Sequence, residues 1–193
     1  MAKLILGSQS PRRKEILGFF SLPFDQKSPS FDEESIPFND NPEEFVCILS
    51  SGKAKSLSRH YPDHIILTAD TIVYKEGRIF GKPATEDEAF QTLSELVGKW
   101  HTVYTGITVK QGRKEISKAE PTRVLFNDLN EEQILHYIKR TNWSDKAGGY
   151  AIQQGSGLIV RSIDGCYYNV MGLPINTVHE VLKHFDIDLW NYI

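Results

Sequence analysis

Two kinds of strand connection stand side by side in this chain, and only a mixed sheet accommodates both. The segments "KLILG" (3–7) and "HIILTAD" (64–70) are short apolar runs separated by helical periodicity, the pattern of a crossover. The segment "HTVYTGITVKQGRKEISKAEPTRVLF" (101–126) instead alternates and turns at Gln111-Gly112, which reads as a hairpin. The expected fold class is therefore α/β, with a mixed, partly antiparallel sheet covered by helices. A length of 193 residues suits one domain over 1–193, built as two lobes around a central cleft. It also suffices for a sizeable core without disulfide or metal staples.

Local signals place the remaining elements. A helix starts after Ser10 and runs to about Phe20. Residues 24–42 are polar and Pro-rich, a long loop with one short strand. Asn41, Pro42 and Glu44 open a helix that keeps its apolar period to about His60. The apolar strand 64–70 ends in Asp70, and "TIVYKEGRIF" supplies a further strand and a Gly turn. Thr85 with Glu88 starts a helix ending near Gly98, and Asn130 with Gln133 starts another to about Thr141. The Gly-rich loop "KAGGYAIQQGSG" precedes a second hairpin turning at Asp164-Gly165, and a last helix follows Pro174.

Net charge is -3, so no global basic field recruits nucleic acid or a membrane. The N-terminal apolar run of four residues is too short for a signal-peptide core or a membrane span. Cys47 and Cys166 lie far apart and match no metal spacing, which points to reduced thiols and a cytoplasmic protein. Any anion site must be a local gathering of cations.

"SQSPRRKEIL" (8–17) is such a gathering. Ser10 and Pro11 open a helix, yet Arg12, Arg13 and Lys14 occupy the end of the macrodipole that is already positive. Ser8 and Ser10 add hydroxyls, and paired guanidinium groups match phosphate, so the turn reads as a phosphate site or as a tolerated basic face. If the clash is unrelieved, Glu or Gln at 12 and 13 is expected to stabilise the protein. Asp70, at the end of its strand, suits metal binding or water activation, or else caps its own turn. One carboxylate of the run Asp32, Glu33, Glu34 is a candidate second metal ligand beside Asp70, or the run is a solvated loop. Lys53 and Lys82 are candidate phosphate contacts or ordinary surface lysines. The Gln153 amide offers a donor and an acceptor that match the imide edge of uracil or thymine. No Walker loop, zinc spacing or G-x-S-x-G elbow occurs.

Taken together, "SQSPRRKEIL", "DEES" (32–35), "KA" (53–54), "ADTIV" (69–73), "GKP" (81–83), "HTVYTGITV" (101–109), "DKAGGYAIQ" (145–153) and "GLP" (172–174) follow the order seen in Maf proteins. The resemblance runs from residue 4 to about 185. It implies a Maf/ITPase-like fold and a nucleoside triphosphate pyrophosphatase that needs Mg²⁺ or Mn²⁺. The arginine pair, "ADT" and the glutamine after "AGGYAI" resemble the branch acting on dTTP and UTP, with clearance of modified nucleotides as a related role. The resemblance makes Asp70 the base and a metal ligand with Glu33. It makes Ser8, Arg12, Arg13, Lys53 and Lys82 phosphate-site residues, and ties Arg13, Thr71 and Gln153 to substrate choice. The implied partner is the nucleoside triphosphate, with no nucleic acid and no membrane; a homodimer is the one protein assembly allowed for. The alternatives are a nucleotide-binding regulator of septum formation, a phosphate-releasing NTPase, and a Maf enzyme of different base preference. Gln154 and Val97 depart from the family pattern, at positions where glycine and a Ser-Gly helix end are usual.

Overall fold

A computed structural model describes residues 3–193, apart from the side chain of Gln154. The departure noted at Gln154 therefore lies outside the described residues. In chain order the elements are β1 (Leu4–Gly7), α1 (Pro11–Leu17), β2 (Phe24–Lys27), α2 (Pro42–Ser58), β3 (Ile65–Lys75), β4 (Arg78–Phe80) and α3 (Glu86–Leu96). There follow β5 (Trp100–Gln111), β6 (Lys114–Phe126), α4 (Glu131–Arg140), β7 (Val160–Asp164), α5 (Tyr167–Val170) and α6 (Ile175–Lys183). The hydrogen-bonded strand order is β2-β1-β3-β5-β6-β7, with β4 pairing β3. β1 runs parallel to both β2 and β3, whereas β3–β4 and β6–β7 are antiparallel. The sheet is mixed, as the two kinds of connection require.

By contacts the chain divides into two compact units. The first holds the residues up to Asp70, Thr105–Glu120 and Gly172–Ile193; the second holds Thr71–Tyr104 and Pro121–Met171.

In the first unit, β1 has all four residues buried, the consequence of a parallel strand covered on both faces. The opposite end of the unit's chain, α6, is tied to β6 by the Lys118–Glu180 ion pair and by Thr177 Oγ1 donating to Glu120 at 2.7 Å. α2 packs Ala54 and Leu57 on Ile5 and Ile66. Its approach to the sheet is unusually close. A Cβ added at Gly106 would lie 2.4 Å from the Val46 backbone, so only glycine lets the helix backbone rest on β5 there. α1 stops at Leu17 rather than Phe20, with the Gly18 N–H closing onto Lys14 O at 2.9 Å.

The second unit packs α3 and α4 on a core that includes Val73, Phe80, Leu93, Val124, Phe126 and Ile138. The predicted caps form as expected. Thr85 accepts from Glu88 N–H, and Asn130 with Gln133 makes a full reciprocal box. Glu76 and Gly77 both have positive φ and close the tight β3–β4 turn.

Two expectations are corrected. β3 does not end at Asp70; it continues as one strand to Lys75, because "TIVY" keeps β-branched and aromatic residues going. Nor does a second hairpin turn at Asp164-Gly165. β7 pairs with β6, but Cys166 N–H then bonds Thr122 Oγ1 at 3.0 Å, and the chain coils into α5 instead of returning as a strand.

Gly106→Ala is expected to lower stability by about 1–3 kcal/mol through overpacking against α2. Urea denaturation checks it; an unchanged midpoint would mean the helix moves aside freely.

Candidate active site

Six of the sequence-predicted site residues fall in the first unit, and most of them converge. β1 delivers Ser8 at its end. Its buried Oγ accepts from Ser10 N–H at 3.1 Å and from Arg13 Nη1 at 3.3 Å, which commits its lone pairs and directs its own O–H elsewhere. Ser10 caps α1 by accepting from Arg13 N–H. Arg13 is half-buried, and its Nε donates to Gly172 O at 2.8 Å. Burial lowers the Arg13 pKa, the charges of Asp70 and Glu33 raise it, and neighbouring Arg12 lowers it. A guanidinium stays protonated throughout. Arg13 is therefore part of the packing between α1 and the 172 turn, a tie that its replacement would remove.

α2 brings Lys53. Only 7% of it is exposed, and its ammonium lies between two carboxylates, bonding Asp70 and pairing with Glu33 at 3.0 Å. Asp70 is itself 6% exposed. The contrast with Lys55, whose side chain is 58% exposed two residues on, shows how far Lys53 is from an ordinary surface lysine. Glu33 comes from the long loop, and a glycine explains its placement. The Phe31 ring lies against Gly52, where a Cβ would be 2.3 Å from it, so the loop docks on α2 one residue from Lys53. Asp70 does not sit at a strand end, as the sequence suggested; it projects from the middle of β3. Two cations, Arg13 and Lys53, thus gather near two carboxylates, with Arg12 beside Arg13.

A divalent cation can be judged against this donor set. Asp70 and Glu33 present hard carboxylate oxygens to one shared point, now the Lys53 ammonium. Among the described residues no group of three or more His, Cys, Asp or Glu side chains gathers for a metal. One or two carboxylates completed by water and phosphate oxygens is the usual way Mg²⁺ is held, so the residues fit a cation that arrives with a polyphosphate.

The other three candidates lie in the second unit. Thr71 is half-buried in β3, immediately after Asp70. Lys82 is exposed between Gly81 and the buried Pro83. The glycine loop closes on this segment, with Gly148 N–H donating to Gly81 O at 2.9 Å and Gly149 against Pro83. Gly148 and Gly149 both take φ 68°, which a side chain would strain. Gln153 is half-buried and extended at the far end of that loop.

The residues that hold the loop were not among the sequence candidates. Tyr137 OH accepts from Ala151 N–H at 3.1 Å. Tyr150 OH bonds His101 Nε2 at 2.8 Å, and both rings pack edge-on against Phe126 with centroids at 4.6 Å. Burial drives the His101 pKa down to about 4, against a raising backbone bond at Lys99, and raises that of Tyr150 above its usual range. The alternation of "HTVY" places His101 and Val103 on one inward face, the one signal that pointed to a core histidine.

A family model described as Maf-like protein matches residues 3–185. The chain belongs to the Maf family. A dTTP/UTP pyrophosphatase of Chlamydia felis is 46% identical over 192 residues, covering 99% of this chain and 98% of that protein. A dTTP/UTP pyrophosphatase of Bacillus cereus is 45% identical over 189 residues, 98% of each. Among solved structures, the Ham1 protein of Staphylococcus aureus superposes with a TM-score of 0.50 at 10% identity, over 94% of this chain and 98% of that one. That likeness concerns the fold alone.

The buried histidine predicts a pH dependence. The folded pKa, about 4, lies below the ordinary 6.5, so the unfolded chain takes up this proton first as pH falls. The stability concerned is complete above about pH 6.5 and is lost towards pH 4, on the order of 3 kcal/mol over the window. Urea midpoints measured across pH 4–7 are expected to fall more steeply in the native protein than in His101→Gln.

Proposed function

We propose that this chain is a nucleoside triphosphate pyrophosphatase that hydrolyses dTTP and UTP between the α and β phosphorus, releasing the monophosphate and pyrophosphate. The observation that carries the reading is the buried Lys53 ammonium between Asp70 and Glu33, beside Arg13, in a chain of the Maf family. The substrate class follows the names of the full-length relatives. The low net charge and the absence, among the described residues, of any helix long and apolar enough to cross a membrane suit a nucleotide enzyme of the cytoplasm.

The reaction needs an aligned water and a way to spread the charge that develops on the leaving pyrophosphate. Asp70 accepts a hydrogen bond from the attacking water and takes its proton as the new P–O bond forms. Lys53, already desolvated, neutralises negative charge with little further reorganisation. Arg13, held by Gly172 and Ser8, presents its guanidinium to phosphate oxygens, and Arg12 adds a second guanidinium. Lys82 contributes a further cation to the phosphate chain. Asp70 and Glu33 would hold Mg²⁺ or Mn²⁺, which would supply charge neutralisation for the phosphate chain. Thr71 and Gln153 bear on base choice, the Gln153 amide pairing its donor and acceptor with the pyrimidine imide edge.

Incubating the protein with a panel of nucleoside triphosphates and Mn²⁺ is expected to release pyrophosphate, fastest from dTTP and UTP. Orthophosphate as the product would transfer the protein to the phosphate-releasing class, and no product at all would leave a nucleotide-binding regulator. Asp70→Asn should lower kcat by about 10²–10⁴ with dTTP binding retained. Arg13→Ala should raise KM and lower kcat together, and also lower the melting temperature, since it breaks the tie to Gly172.

A further inference from the structure

We propose that Thr68 is a positioning residue for the reaction, holding α2 against β3 so that Lys53 is delivered to Asp70. The proposal rests on the reading of Lys53 and Asp70 as reacting groups.

Thr68 is fully buried, and its Oγ1 donates to the main-chain oxygen of Ser50 at 2.7 Å. Ser50 and Lys53 are three residues apart on α2 and share a helix face. Thr68 and Asp70 are two apart on β3 and share a strand face. The same helix and strand are therefore joined by two adjacent rungs, one made by a hydroxyl and one by charges. The neutral rung is made to a backbone oxygen, so it fixes the helix itself rather than a side chain.

The Thr68 rotamer is fixed as well. Gly7 stands opposite Thr68 in the β1–β3 register, and a Cβ there would lie 2.6 Å from the Thr68 methyl. The glycine leaves the space that this methyl fills, and the hydroxyl faces α2.

The helix is held from a second direction. Ser50 Oγ donates to Cys47 O at 3.0 Å and lies 2.8 Å from Thr108 Oγ1, which lies 2.7 Å from Ser117 Oγ. Each hydroxyl has one hydrogen. With that of Ser50 spent on Cys47, Thr108 must donate to Ser50 and Ser117 to Thr108, giving one direction to the whole chain. Ser50, Thr68 and Thr108 are each 0% exposed. Apolar residues of the same shape would fill this layer at little or no cost in stability. What hydroxyls add is a defined register, and a lysine at the end of a four-carbon stem needs its helix held to about half an ångström.

Thr68→Val keeps the shape and removes the hydroxyl, and Thr68→Ser restores it. Two measurements are made on each: dTTP turnover, and acylation of Lys53 by an amine-reactive ester, read by mass spectrometry. Lys118, paired with Glu180 of α6 in the same unit and away from α2, is the internal control. Thr68→Val is expected to lose about tenfold in kcat with KM within about twofold. Its Lys53 should label several-fold faster relative to Lys118, and Thr68→Ser should behave as native in both measurements. Unchanged Lys53 labelling in folded Thr68→Val overturns the proposal whatever the rate or melting temperature does, as does a native rate. Should Thr68→Val fail to fold, Thr68→Ala, which also removes the hydroxyl, takes its place under the same criteria. Failure of the native protein to release pyrophosphate would sink the functional reading instead, while the labelling comparison still decides whether Thr68 holds the helix.

Discussion

The buried Lys53–Asp70 ion pair is the constraint around which the first unit is arranged. Taking two charges out of water costs several kcal/mol per ion, and a well-packed apolar pair is commonly as stable or more so. A fold has little reason of stability to keep such a pair between a helix and the middle of a strand. It persists here with a second carboxylate, Glu33, on the same ammonium and a desolvated guanidinium, Arg13, feeling both acids.

Close packing makes the arrangement possible. Gly106 lets the α2 backbone rest on β5, Gly52 lets the Phe31 loop rest on α2, and Gly7 makes room for Thr68. Each glycine removes a side chain where its backbone must nearly touch another backbone, a ring or a methyl group. In the second unit a different solution serves the glycine loop. There an edge-on cluster of His101, Phe126 and Tyr150 gives a loop rich in positive φ a rigid floor.

Much of this was legible beforehand where the physics is local. Caps at Ser10, Asn41, Thr85 and Asn130 act within four residues, so the helix starts could be read directly. The crossover and hairpin connections forecast the mixed sheet. Element ends were less legible because they depend on distant partners. β3 runs through Asp70 since its neighbours continue to pair with it, and the turn after β7 coils into α5 because Thr122, over forty residues earlier, captures Cys166.

For the site, residue types and their order were enough to nominate Ser8, Arg12, Arg13, Lys53 and Asp70, because phosphate chemistry restricts which side chains are useful, whereas Glu33 was singled out from its acidic run only by the family resemblance. Lys53 looked like one lysine of a helix face, and no periodicity distinguishes it from Lys55. Burial does so, and burial is a property of the packed helix, not of the local chain. The same holds for Arg13, whose cationic character is written in its side chain while its anchorage to Gly172 depends on a contact 159 residues away. The sequence by itself determined the chemistry on offer and the elements that carry it. Tertiary structure alone decided which of those groups leave water and face one another, since desolvation and distance arise only when remote segments pack.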